Sequence, residues 1–165
     1  MATAATPQQA IPAQAVDLSV ANPKRTQNLS LPLYQGCEFN SEYKGWQIVV
    51  DEGFLKFNLE LPSTQNIRLT LNQCSMTVGG STDNPITITV NDYTLIRNSD
   101  DHNSHFHDVT YMITSQWLHQ GNNSIRIQLD QNARTRITFR SVGVAGMTTG
   151  SMTTTGTGAG TGSGA

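Results

Sequence analysis

The residues from Asp100 to Asp108 read Asp-Asp-His-Asn-Ser-His-Phe-His-Asp, and they hold much of the reactive chemistry in this 165-residue chain. His105 and His107 are two positions apart. In an extended backbone both imidazoles leave the same face, and neutral ring nitrogens there could hold Zn²⁺ or Cu²⁺. A closed zinc site asks for four ligands, so the pair alone leaves the metal unassigned. Asp100 or Asp101 could contribute oxygen to Ca²⁺, which needs several such ligands. A plainer use exists for the same residues: short polar side chains fold back and satisfy the backbone of their own loop. A third chemistry is sugar binding. It needs planar polar groups for hydroxyls and an aromatic face for the C–H side of the ring. Tyr93, Arg97, Asn98, Asp100, Asp101, His105 and His107 all lie in or beside this stretch, and Tyr43 and Trp46 could stack from another loop.

Catalysis has no comparable signature. Glu38, Glu42, Asp51, Glu52 and Glu60 offer carboxylates, but no two form an acid/base frame. No Gly-x-Ser-x-Gly elbow, phosphate-binding loop or Cys–His arrangement occurs. The expectation is a non-enzymatic protein with no cofactor. Arg126, Arg134, Arg136 and Arg140 form a mild basic group late in the chain, read as a solvated strand face. With a formal net charge of −2, no long-range field would gather nucleic acid. No apolar run is long enough to span a bilayer, so no membrane partner is expected.

The elements that must carry the polar stretch are strands. Leu55, Phe57, Leu59 and Leu61 alternate with Lys56, Asn58 and Glu60, the period of a half-buried strand. Ile67, Leu69 and Leu71 repeat the pattern, as do Ile86, Ile88 and Val90, and then Ile125, Ile127 and Leu129. Leu29, Leu31 and Leu33 suggest an opening strand that Pro32 pushes to a sheet edge. Trp46, Ile48 and Val50 suggest another, ended by a turn at Asp51-Glu52-Gly53. Tyr93 to Ile96 reads as a short return strand after the turn at Asn91-Asp92. Val109, Tyr111 and Ile113 form one more, and Ser115 to His119 a single helical turn stopped at Gly121. Ile137 and Phe139, then Val142 and Val144, close the domain. Gly79-Gly80-Ser81 through Asn84-Pro85 is a loop. About eight to ten short strands with turns between them predict an all-β, antiparallel two-sheet β-sandwich.

Composition agrees. Charged residues make up only 13% of the chain, about half the usual share of roughly 25%, and Asn, Thr, Ser, Gln and Gly take their place. Residues 1–27 are read as a flexible N-terminal arm, 28–146 as the sandwich, and 147–165, rich in Thr, Gly and Ser, as a flexible tail. The first sixteen residues have no basic residue and no continuous apolar core, unlike a secretory leader. Cys37 and Cys74 allow one disulfide or two thiols. Asn28-Leu29-Ser30 and Asn122-Asn123-Ser124 fit the glycosylation pattern, which matters only in a secretory pathway.

Tyr111-Met112-Ile113-Thr114, Trp117-Leu118 and Gly121-Asn122-Asn123-Ser124-Ile125 follow one another in an order that resembles the late segment of galactose-binding-like jelly rolls. That fold carries many carbohydrate-binding modules and glycosidase accessory domains. Ile88-Thr89-Val90-Asn91-Asp92 looks like their preceding strand, with Asp92 where Gly is usual, and Ile137 to Val144 is similar to their last strand. The matching residues are structural: Gly121 for a positive φ, Asn123 for bonding its own turn, Trp117 for packing. The resemblance implies a jelly roll that binds a glycan or polysaccharide through loops around residues 93–108. The alternative is a structural subunit of a capsid, fibre or filament, assembling as a homo-oligomer through its terminal arms.

Overall fold

The computed structural model describes residues 9–76, 84–131, 133 and 136–147. The strands are β1 (Gln14–Asp17), β2 (Leu29–Gln35), β3 (Cys37–Asn40), β4 (Gly45–Ile48), β5 (Phe54–Leu61), β6 (Asn66–Ser75), β7 (Ile86–Val90), β8 (Tyr93–Ser99), β9 (His107–Ile113), β10 (Gly121–Leu129) and β11 (Ile137–Met147). One turn of 3₁₀ helix, Ser115–Trp117, follows β9. Among the described residues no helix is long and apolar enough to cross a membrane.

Two antiparallel sheets result. The six-stranded sheet runs β3-β4-β11-β6-β9, with β1 also paired to β11, and the five-stranded sheet runs β2-β5-β10-β7-β8. Each long apolar alternation buries its hydrophobic set between them. Leu55, Leu59, Ile67, Leu69, Leu71, Ile88, Ile125 and Ile127 are all fully buried. The reason is the two-residue period: one face of each strand meets the other sheet and the opposite face meets water. The expected all-β jelly-roll architecture is the observed one.

Local chemistry explains the irregular points. Pro32 sits where the β2–β5 register shifts between Ser30 and Leu33, on an edge strand where its missing N–H removes no ladder bond. In β11 the inward positions change parity between Phe139 and Val142, and the pairing with β6 slips at the same place. A β-bulge absorbs the extra residue. It also divides one edge of β11, so that β4 pairs with Ile137–Phe139 and β1 with Ser141–Val144.

Several expectations need correction. The arm read over 1–27 is partly built into the sandwich: β1 pairs with β11, and Ile11, Val16 and Leu18 are buried. A strand this short has a single fully buried position, Val16, and so shows no period. The strand β3 was not expected, for the same reason. Val50 does not continue β4; the strand ends at Ile48 and Val50 is exposed in the turn. The strand β11 ends at Met147, one residue into the expected tail. The outer parts of both tails (residues 1–8 and 148–165), the Gly79-Gly80-Ser81 segment and Arg134 lie outside the described residues.

Cys37 and Cys74 are both free. They lie on β3 and β6, three strand positions apart in one sheet, a span of about 14 Å that no disulfide bridges. Burial pushes the Cys37 thiol up to about 12, and its Sγ faces the Gln35 and Phe54 carbonyls as a donor. Asn28 of the first glycosylation triplet is buried, with its side-chain amide donated to the Glu60 carbonyl.

Candidate ligand-binding site

The stretch from Asp100 to His107 leaves β8 on one sheet and enters β9 on the other. Its side chains first serve its own backbone. Asp100 Oδ1 accepts the His102 amide, Asp101 Oδ1 the Asn103 amide, and Asn103 Oδ1 the His105 amide, each two residues ahead. These are Asx turns, the plainer use of such residues. Asp100 also accepts the Asn84 amide at 2.6 Å, and the Asn103 carbonyl accepts the Ser75 amide. Phe106 lies under the Arg140 guanidinium at 3.6 Å, and Arg140 in turn donates to the Tyr43 carbonyl.

At the centre of this knot is Asp101. Its Oδ2 accepts from Gln73 Nε2 at 3.1 Å and from His107 Nε2 at 2.6 Å. His107 Nδ1 faces the His105 carbonyl at 2.7 Å. Both ring nitrogens of His107 are therefore engaged, and the ring has no free lone pair for a metal. His105 is exposed, with its backbone rather than its ring in the knot. No group of three or more His, Cys, Asp or Glu among the described residues could hold a metal ion. The paired-imidazole geometry fails because His105 lies in the loop, before β9 begins.

Arg97 and Asn98 belong elsewhere. Two adjoining depressions on the outer face of the five-stranded sheet, of about 500 Å³ and about 290 Å³, share Thr87, Arg97 and Gln128, and Asn98 lines the larger. Glu52, Asp130 and Gln131 complete the larger; Thr89, Thr94 and Arg126 complete the smaller. Thr87 donates to Asp130 and accepts the Asn98 amide. Arg126 lies 4.0 Å over the Phe54 ring and donates to Gln128 Oε1. Glu52 accepts from Gln131. The floor is thus a set of planar amide, guanidinium and carboxylate groups beside hydroxyls, each anchored on a strand or turn.

Tyr93 sits at the far end of β8, roughly 15 Å along the strand from Asn98, and stacks on Trp117. The seven predicted residues therefore fall into three places: Arg97 and Asn98 at the depressions, Asp100, Asp101, His105 and His107 at the knot, and Tyr93 at the opposite end. Of the two stacking candidates, Trp46 is buried between Tyr34 and Phe39 and gives its indole N–H to the Val20 carbonyl. Tyr43 is tied by its carbonyl to Arg140. Sequence reasoning missed Thr87, Arg126, Gln128 and Asp130. Their signal was the outward set of the β7 and β10 alternations; what was missing was the knowledge that these strands are neighbours.

Neither a family model nor a curated protein matches the sequence. Solved structures do match the fold. A family 29 carbohydrate-binding module from Piromyces equi superposes with a TM-score of 0.54 at 12% identity, covering 86% of this chain and 93% of that one. A family 35 carbohydrate-binding module from Clostridium thermocellum gives 0.52 at 19% identity, over 81% and 98%. The CBM36-1 domain of a multidomain xylanase from the hindgut metagenome of Trinervitermes trinervoides gives 0.51 at 11% identity, over 82% and 98%. The fold is the jelly roll of carbohydrate-binding modules. At these identities the likeness concerns the path of the chain and not the residues of any site.

Proposed function

We propose that this protein is a non-catalytic carbohydrate-binding module, and that its glycan lies on the outer face of the five-stranded sheet. One observation carries the reading: the adjoining depressions bounded by Thr87, Arg97, Arg126, Gln128 and Asp130. Sugar hydroxyls both donate and accept, and this floor offers both in fixed planes: guanidinium donors, a carboxylate acceptor, and amide and hydroxyl groups that do either. The loop knot at Asp100–His107 follows β8 directly, and the Asn98 amide is held by Thr87 Oγ1. Jelly rolls with the names reported above support the same class of ligand by analogy of fold.

A glycan array followed by calorimetry tests it. Arg97→Ala and Gln128→Ala should each weaken the best array ligand by roughly tenfold, the scale of one lost hydrogen bond to a charged or buried group. Asp101→Ala should act more weakly, through the loop. An array without hits, or affinities indifferent to Arg97 and Gln128, rejects the proposal.

A second reading, a structural subunit of a capsid, fibre or filament, draws on a different observation. Among the described residues no strand pairs with the outer edge of β2, which leaves Leu33 and Tyr34 about half exposed, a surface suited to strand addition. Light scattering on the eluting protein separates the two: a concentration-independent monomer removes the assembly reading, and a large symmetric particle removes the free module.

A further inference from the structure

At the end of the five-stranded sheet away from the loop knot, Tyr93 and Trp117 lie parallel, with ring centroids 5.0 Å apart and 1° between planes. Trp117 packs against the core, whereas Tyr93 is 46% exposed. Among the described residues Tyr93 meets no other ring and no guanidinium. One face of its ring rests on Trp117, and nearly half of the residue's surface is open to solvent.

The two rings come from different elements, and one amide pair, half-buried Asn91 and buried Asn123, sets both. Asn91, in the β7–β8 turn at φ 52°, donates through Nδ2 to the Trp117 carbonyl at 2.8 Å and to Asn123 Oδ1 at 2.9 Å. Its Oδ1 accepts the Ser124 amide. Asn123 donates to the carbonyls of Leu59, His119 and Gly121 and accepts the His119 amide. Turn, 3₁₀ helix and β10 are thereby locked together, so the flat double ring is preformed. Asp92 and Gln116, each adjacent in sequence to one of the rings, are exposed.

We propose that the Tyr93–Trp117 pair is a second saccharide site, a stacking platform for one pyranose ring of an equatorially linked β-glycan. Such a ring carries axial C–H groups on a flat face, which matches the Tyr93 plane, while its edge hydroxyls can reach Asp92 and Gln116. The inference rests on the carbohydrate reading above but uses none of the residues at the sheet depressions.

The test uses the full chain and three probes: cellohexaose, xylohexaose and mannohexaose. Trp46 is buried and Trp117 is in the platform, so a Trp46→Phe background makes the emission report on Trp117 alone. Addition of at least one hexasaccharide should shift or quench that emission. Tyr93→Ala should abolish the change and weaken binding at this site roughly three- to tenfold. Tyr93→Phe, which keeps the ring, should retain it, as should Arg97→Ala. Circular dichroism of each variant confirms the sandwich is intact. Emission indifferent to all three probes overturns the platform, as does a change that survives Tyr93→Ala. Loss of the emission response with array hits preserved leaves the first site standing; loss of both defeats the two readings together.

Discussion

His107 shows what one side chain can decide. Its ring nitrogens face a carbonyl oxygen and a carboxylate, and both partners only accept. Two donors are needed, so the geometry calls for the imidazolium. Partial burial pulls the group down, but the bond to the His105 carbonyl, the bond to Asp101 and the charges of Asp101 and Asp108 outweigh it and raise the pKa above its ordinary value of 6.5. The sign follows from linkage. A group whose folded pKa lies above the unfolded one binds its proton more tightly when folded. Its stabilisation is complete below about 6.5 and is lost as pH rises through the raised value. Urea unfolding at a series of pH values should show stability falling across that window, and the fall should vanish in His107→Gln. A wild-type profile that is flat from slightly acid to slightly alkaline pH would contradict the clamp. Residue spacing paired His107 with His105, whereas the fold pairs it with Asp101, six positions back and across a loop of Asx turns. The turns themselves were legible, because Asp and Asn two residues before an amide donor are a local signal.

At the scale of elements, legibility tracked the length of the alternation. The strands β5, β6, β7 and β10 each show three or more inward apolar residues at period two, and each was found. The bulge in β11 was also written in the residues, as the change of parity from Phe139 to Val142. The short strands β1 and β3 were not. In β1 only Val16 is fully buried, so an Ala- and Gln-rich segment gave no period to detect. Yet Leu18, just beyond it, is fully buried and its amide bonds the Arg140 carbonyl. This contrast is testable. Leu18→Ala should destabilise the domain by about 2–4 kcal/mol, the range for a buried leucine truncated to alanine, measured by chemical denaturation. A freely moving arm would tolerate the same change with no measurable cost. The sheet depressions were illegible for a related reason. Thr87, Arg97, Arg126 and Gln128 come from β7, β8 and β10, and nothing local says that these strands lie side by side.

For the whole molecule the governing quantity is charge. Ten basic residues nearly balance twelve acidic ones, and the depressions repeat that balance locally, with Arg97 and Arg126 beside Glu52 and Asp130. A surface of this kind has little field to attract or hold an ion. It can still recognise a neutral ligand, because hydrogen bonds and ring stacking act at contact and need no net charge. This separates neutral from anionic glycans. Between about 0.05 M and about 0.5 M salt the screening length shrinks from more than 10 Å to about 4 Å. A neutral oligosaccharide should bind with a Kd that changes less than about twofold over that range, because screening acts only on net charge–charge attraction. An anionic polysaccharide held by Arg97 and Arg126 would instead weaken steeply, since each screened charge pair contributes to the loss. Calorimetry at the two salt concentrations with the best array ligand decides between them. A steep dependence would assign the two arginines to carboxylate or sulfate groups. It would also require that the nearby Glu52 and Asp130 be turned away from the bound chain.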